Sequence, residues 1–422
     1  MTHQINKDIL KKFSEFFVSR FLGTGVDTAV LWVCGHYLFK GYWGQYWLSP
    51  LISFELATFV NFLTSYFWIW RSRINEDKGK RSFSYLFVFF NVACIAGFII
   101  KMIFLLLFES IFGFSAVICN LLALCISGIF NFILSESVIF RKKYPEPEHP
   151  LLSIEEFTNS GAFFSSSWGY LIGRFLMDAT GLSRLNRLYD KVSSYRGTEC
   201  AHKTLELMGC RYEIVNSHRL DSLPEGAFIT ISNHPYGALD GLILTDMIGG
   251  RRSDYSIMVN SILARAKSME GTFITVIPTT TEKKAADSTT LKGIRNVIIH
   301  LKQGHPLGIF PSGAISDFKF KTNSLRDREW QPSILKLIQR AAVPIVPIFF
   351  PDRNSRFFYF LGLLSWKIRL LRLPQEFFNK NTKIHHVVIG ETISVEEQAK
   401  YSDLSTFGKF LRESVYGKKG EY

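Results

Sequence analysis

Apolar and polar positions alternate on two scales along this chain. In the first third the apolar residues form long runs, roughly 21–39, 48–70, 85–108 and 114–134. Each is near the ~20 residues that crossing a bilayer core requires of a helix. Beyond residue 160 the runs become short. Those at 228–231, 256–259, 273–277, 307–310, 345–350 and 387–389 read as buried strands, and 242–248, 291–301 and 334–340 carry helical patterns. The expected fold is that of a multi-domain membrane protein, with an all-α four-span transmembrane domain followed by an α/β domain built on a central mixed sheet. Tyr144-Pro145-Glu146-Pro147-Glu148-His149-Pro150 stops any helix continuing from the fourth run. The membrane domain is thus expected at 1–143, a linker at 144–160 and the second domain at 161–415.

The second and fourth runs end alike. Asn61-Phe62-Leu63 through Trp68-Ile69-Trp70-Arg71 is matched by Asn131-Phe132-Ile133 through Val138-Ile139-Phe140-Arg141, at a constant offset of 70 residues. A duplicated helical hairpin follows. An amide inside a span needs a partner, so Asn61 and Asn131 are expected to bond across the duplicated interface or to line a polar path. Asp27, Glu55 and Lys101 also lie in or beside the runs, where pairing or snorkelling accounts for them as well as transport does.

Composition changes the picture in one respect. A hydrophobic fraction of 47% with 39 phenylalanines coexists with a net charge of +13, and the apolar runs favour anionic lipid head groups over nucleic acid as partner. No nucleic-acid motif is present. Lys11, Lys12 and Arg20 precede the first run, Arg71, Arg73, Lys78, Lys80 and Arg81 follow the second, and Arg141, Lys142 and Lys143 follow the fourth. The positive-inside rule then puts both ends of this domain, and the second domain, on the cytoplasmic side of the inner membrane. Residues 1–12 lack the features of a cleaved leader, so the first run is expected to be retained. The six cysteines show no metal spacing and read as reduced apolar residues; no metal is expected.

Candidate chemistry gathers at three strand ends, where open α/β sheets build their sites. Ser232-Asn233-His234-Pro235-Tyr236-Gly237-Ala238-Leu239-Asp240-Gly241 joins a strand to a helix. His234 and Asp240 there form a base and its orienter, or else a turn and a helix cap; the residues alone leave both readings open. Phe310-Pro311-Ser312-Gly313-Ala314-Ile315-Ser316 ends a second strand in a turn whose amides, around Gly313, are candidates for an oxyanion. Val343-Pro344-Ile345-Val346-Pro347-Ile348 reads as core or acyl-chain wall. Neither Ser232 nor Ser312 sits in a G-x-S-x-G elbow, which disfavours a serine hydrolase.

Two resemblances rest on these residues. The repeated Asn-Phe and aromatic-x-aromatic-Arg ends, over roughly 13–143, resemble the GtrA-like membrane family, which implies movement of polyprenyl-phosphate-linked sugars or lipid head groups. The three blocks together, over about 160–395, resemble the glycerolipid acyltransferase superfamily. The five-residue spacer between His234 and Asp240, and Ser312 where glutamate is usual, point to its hemolysin-like, lyso-ornithine-lipid acyltransferase branch. Arg252-Ser253-Asp254, Val259-Asn260, Trp330-x-Pro332, Asn354-Ser355 and Phe358-Tyr359 agree with that branch.

The resemblance implies acyl transfer from acyl-CoA or acyl-carrier protein to a lysolipid, without a further cofactor. His234 and Asp240 are the catalytic pair, and Asn233, Gly237, Gly241, Asn260, Phe310, Pro311, Ser312, Gly313 and Ser316 are the substrate-binding set. Histidine as a residue type titrates near neutrality and suits a general base. Ile315 stands where enzymes acting on lysophosphatidic acid commonly carry arginine, which favours a lyso-aminolipid acceptor, with Lys319, Lys321 or Arg353 as substitute phosphate ligands. The basic, aromatic stretch 356–378 reads as an interfacial segment. The alternative is a translocator of lipid-linked sugar or head groups carrying a non-catalytic acyltransferase-like module.

Overall fold

A computed structural model of the chain describes residues 2–39, 41–76, 82–113, 115–142, 145–158, 167–276, 288–319 and 324–417. Lys78, Lys80, Arg81, Lys143, Ile277 and Lys321 lie outside these residues. The chain divides into two compact units, Met1–Pro145 and Glu146–Tyr422.

Among the described residues the first unit contains four helices long and apolar enough to cross a membrane, Lys7–Leu38, Gly44–Ile69, Phe83–Phe112 and Ala116–Ile139. The first begins well before its apolar run. Lys11, Lys12 and Arg20 therefore belong to the helix instead of preceding it: Lys12 pairs with Asp8 one turn away at 2.5 Å, and the Arg20 guanidinium lies 4.2 Å from the Phe16 ring centre. The duplication is visible in the backbone. The second and fourth spans end in matching π-helical turns, Ser65–Ile69 and Ser135–Ile139, each opened by a buried serine. Trp70 and Phe140, equivalent by the 70-residue offset, stack at 4.7 Å with their rings 7° apart.

The asparagines do not meet across the duplicated interface. Asn61 lies against Gly23 and Asn131 against Gly97, each within its own hairpin, and a Cβ on either glycine would fall 2.2–2.3 Å from the amide. Glycine lets the two backbones approach there, as small residues do between membrane helices. Glu55, by contrast, is hydrogen-bonded, accepting from Asn91 Nδ2 at 2.7 Å.

The second unit is built on a sheet of order β1-β9-β8-β2-β5-β3-β4. Its strands are β1 (Arg211–Val215), β2 (Ile229–Ser232), β3 (Ser256–Asn260), β4 (Phe273–Val276), β5 (Leu307–Ile309), β8 (Ile345–Phe349) and β9 (Ile384–Ile389). β6 (Asp317–Lys319) and β7 (Ser324–Arg326) form a separate antiparallel hairpin. All pairings in the large sheet are parallel except β8 with β9, so the sheet is mixed and mostly parallel. Central strands such as β2 and β8 are buried along their whole length, which is why they read as unbroken apolar runs.

Side chains alternate between two cores. Val346 and Ile348 pack under the helices Gly197–Met208 and Ala238–Gly249, whereas Ile345 and Phe349 face Ser288–Lys302, Pro332–Ala341 and Leu404–Tyr416. β2 lies between β5 and β8. The three sequence blocks thus belong to adjacent strands, and those strands run parallel, so the loops that leave β2, β5 and β8 share one edge.

Candidate active site

The loop after β2 is fixed by buried polar side chains. Asn233 bridges to the end of β8, donating from Nδ2 to the Phe350 carbonyl at 2.8 Å and accepting from the Phe350 amide at 2.7 Å. Asn354 Nδ2 donates to the Pro235 carbonyl at 3.0 Å, and Lys380 Nζ, itself buried, donates to Asn354 Oδ1 at 2.6 Å. Burial lowers the Lys380 pKa to about 8. Tyr236 meets His385 Nδ1 through its hydroxyl at 2.8 Å. Gly237 turns the chain at φ 92°, a conformation that favours glycine, and starts the helix Ala238–Gly249.

Asp240 satisfies both readings of its position. Its Oδ2 accepts from the amides of Tyr236 and Gly237 at 3.0 and 3.1 Å, capping the helix, and lies 2.9 Å from His234 Nδ1. The carboxyl is fully buried, and burial pushes its pKa up against the pull of His234 and the two amides. The pair is close but not in line: among the described residues neither His234 Nδ1 nor Asp240 Oδ1 completes a hydrogen bond. The imidazole stacks on Phe310 at 4.1 Å and keeps 18% of its side chain exposed.

A second buried carboxylate supports the loop from the other side. Asp327 Oδ1 accepts from the His234 amide at 3.2 Å and from Ser316 Oγ at 2.5 Å, and Oδ2 accepts from Trp330 Nε1 at 3.4 Å. Its own amide donates to the Tyr416 hydroxyl, and Arg412 holds its carbonyl. Burial raises its pKa, opposed by Ser316 and the His234 amide. Sequence reasoning missed Asp327, since Arg326-Asp327-Arg328-Glu329 reads as a solvated charge run. It also missed Lys380, which sits in a polar Asn-Lys-Asn stretch.

Beside this pair opens a cavity of about 500 Å³ with mainly apolar walls, among them Leu188, Val192, Met258, Leu263, Phe273 and Phe377. His234, Gly237, Gly241, Asn260, Phe310 and Gly313 of the expected set line it. Asn233, Pro311, Ser312 and Ser316 are not among its walls. Asn233 and Ser316 hold the loop instead, and Ser312 Oγ donates to the Ala314 carbonyl at 2.8 Å. Two amides of the Gly313 turn are already engaged. The Gly313 amide closes its own turn onto Phe310 at 2.9 Å, and the Ser316 amide donates to the His234 carbonyl at 2.8 Å. Neither N–H is left for a substrate oxygen. Arg252 is a strut that pairs with Asp254 at 2.8 Å and donates to the carbonyls of Pro224 and Gly226. Arg353 lies over the Phe318 ring at 5.5 Å. No cluster of potential metal ligands occurs among the described residues.

Known proteins resemble the chain in both units. A family model described as Acyltransferase matches residues 173–421, and one described as GtrA/DPMS, transmembrane domain, matches residues 15–140. A protein of Bacteroides thetaiotaomicron named lyso-glycine lipid O-acyltransferase is 27% identical over 242 residues, covering 55% of this chain and 82% of its own. One of the same name from Phocaeicola vulgatus is 24% identical over 228 residues, covering 52% of this chain and 77% of its own.

Proposed function

The chain belongs to the acyltransferase family, and from that premise we propose that it esterifies a membrane lysolipid, a lyso-aminolipid with a free hydroxyl, using acyl-CoA or acyl-carrier protein as donor. The observation that carries this reading is the His234–Asp240 pair at the wall of an apolar cavity. The relatives named for O-acylation of lyso-glycine lipid support the acceptor class.

The chemistry follows from which ring nitrogen is free. Nδ1 faces Asp240, so Nε2 is the atom that takes the proton from the acceptor hydroxyl. The hydroxyl oxygen bonds to the thioester carbonyl carbon, the C–S bond breaks, and the proton on Nε2 passes to the departing thiolate. No covalent enzyme intermediate is required: Ser232 and Ser312 are buried and neither lines the cavity. Asp240 stabilises the imidazolium, and Asn233, Asn354 and Asp327 hold the loop that places it. The apolar walls receive the acyl chain. The arginines and lysines at the ends of the spans support an orientation with the second unit on the cytoplasmic side of the inner membrane.

The test is radiolabelled acyl transfer to lyso-glycine lipid by the full chain in liposomes, with each donor in turn. His234→Ala is expected to abolish product while leaving the protein in the membrane; full activity in that variant would sink the proposal.

A further inference from the structure

Among the described residues of the second unit, most of the large exposed apolar side chains lie on two short helices, Arg356–Leu364 and Trp366–Leu371. Phe357, Phe360, Leu363, Leu364, Trp366 and Leu371 are each between 51% and 65% exposed. A soluble surface seldom carries so contiguous an apolar patch. The opposite face of the pair is firmly attached. Phe358 is fully buried beside Ile315 and Tyr359, Arg369 reaches Asp317 at 2.5 Å, and Ser355 caps the first helix while donating to Glu376 at 2.6 Å. The apolar side chains are therefore presented outward by a braced element.

Charge identifies what covers them. Arg356 and Lys367 are exposed and Arg372 is half-buried, while no acidic residue occurs from 356 to 375. Basic and aromatic side chains rimming an apolar face are what a bilayer surface with anionic head groups recognises. A membrane is also always within reach of this chain, which carries four helices of spanning length. The next helix, Leu373–Phe378, supplies Leu373, Pro374 and Phe377 to the wall of the cavity that holds His234. The apolar patch and the cavity are thus continuous along the chain.

We propose that the Arg356–Leu371 pair inserts its apolar face into an anionic bilayer surface, so that the lysolipid passes from the bilayer past Leu373 and Phe377 to His234. The route rests on the acyl-transfer reading; the insertion does not.

The full chain with Cys125→Ser, which removes the exposed native thiol, is labelled with bimane at Leu364→Cys and reconstituted in phosphatidylcholine vesicles brominated at the upper acyl carbons, with and without phosphatidylglycerol. A control carries the label at Leu207→Cys, exposed to a similar degree on the helix Gly197–Met208. Insertion to the head-group and acyl boundary predicts about twofold quenching at position 364 and none at 207. The quenching should weaken without phosphatidylglycerol and with Lys367→Glu. No quenching at 364, or equal quenching at both positions, overturns the insertion. Acyl transfer is measured on the same vesicles. Transfer without quenching removes the docking and leaves the enzymatic reading standing; quenching without transfer does the reverse.

Discussion

Buried polar groups do different work in the two units. In the first they tie helix to helix. Glu136 accepts from Trp70 Nε1 at 2.7 Å and pairs with Arg73, whose guanidinium also reaches the carbonyls of Glu136 and Phe140. In the second unit Asn354, Asp240 and Asp327 converge on the backbone of one loop, and Asn233 within that loop ties it to the backbone of Phe350. Where the surroundings are hydrocarbon, a polar group is costly and is used sparingly as a clasp. In the α/β unit several are concentrated to hold one imidazole. Damage to the first arrangement should therefore appear in stability, and damage to the second in rate.

The sharpest test of that division is Asp240→Ala. Loss of the orienting carboxylate is expected to lower kcat by about 10²–10⁴ with little change in KM, since the group acts on the base and not on bound substrate. Steady-state acyl transfer checks it, and a variant that raised KM alone would break the comparison. Asp327 should rank next. Asp327→Ala strips acceptors from the His234 amide, Ser316 and Trp330, and a fall of about 10–100-fold in kcat is expected. Asp327→Asn keeps an oxygen for the His234 amide and should recover part of the loss. Equal damage by both substitutions would mean that the charge matters more than the placement.

In the membrane unit, Glu136→Ala removes the carboxylate that Trp70 and Arg73 share and leaves Arg73 only the carbonyls of residue 136 and Phe140. Its expected cost is about 1–3 kcal/mol of stability, read as a lowered melting temperature in detergent. Acyl transfer at a permissive temperature should be unchanged. A parallel loss of transfer would show that the spans do more than retain the enzyme at the membrane.

The sequence carried the architecture well where one physical rule dominates. Span length follows from bilayer thickness, and the mixed sheet with β2, β5 and β8 side by side agrees with the strands read from apolar runs. β1 escaped because Arg211-Tyr212-Glu213-Ile214-Val215 is an edge strand with charged positions. The β6–β7 hairpin escaped because Asp317-Phe318-Lys319 and Ser324-Leu325-Arg326 each hold one apolar residue between polar ones and so form no apolar run. Family resemblance identified the acyltransferase and the GtrA-like membrane domain. Hydrogen-bond partners were less legible. Nothing local shows that the Gly313 amide closes its own turn, that Asn61 rests on Gly23, or that Asp327 lies under His234, because each depends on residues brought together only by the fold.

Lys380 offers the smallest effect and a clean sign. Burial lowers its pKa from the ordinary 10.5 to about 8, with Glu376 and Asp240 opposing the shift. Below pH 8 the ammonium is charged in both the folded and the unfolded chain, and the cost of burying it is present in full. Between about 8 and 10.5 the folded protein has released the proton while the unfolded chain still holds it, so this site's contribution to stability rises with pH across that window. Other groups titrate there too, and the comparison must be with Lys380→Met. That variant loses the bond to Asn354 at every pH and, with no titratable group at position 380, the pH-dependent term as well. The stability of the native sequence relative to Lys380→Met should therefore increase from pH 8 to 10.5, as read by thermal unfolding of the full chain in detergent. Parallel profiles would mean that the amine keeps its proton in the folded state, and that the group holding Asn354 beneath the His234 loop is a buried cation.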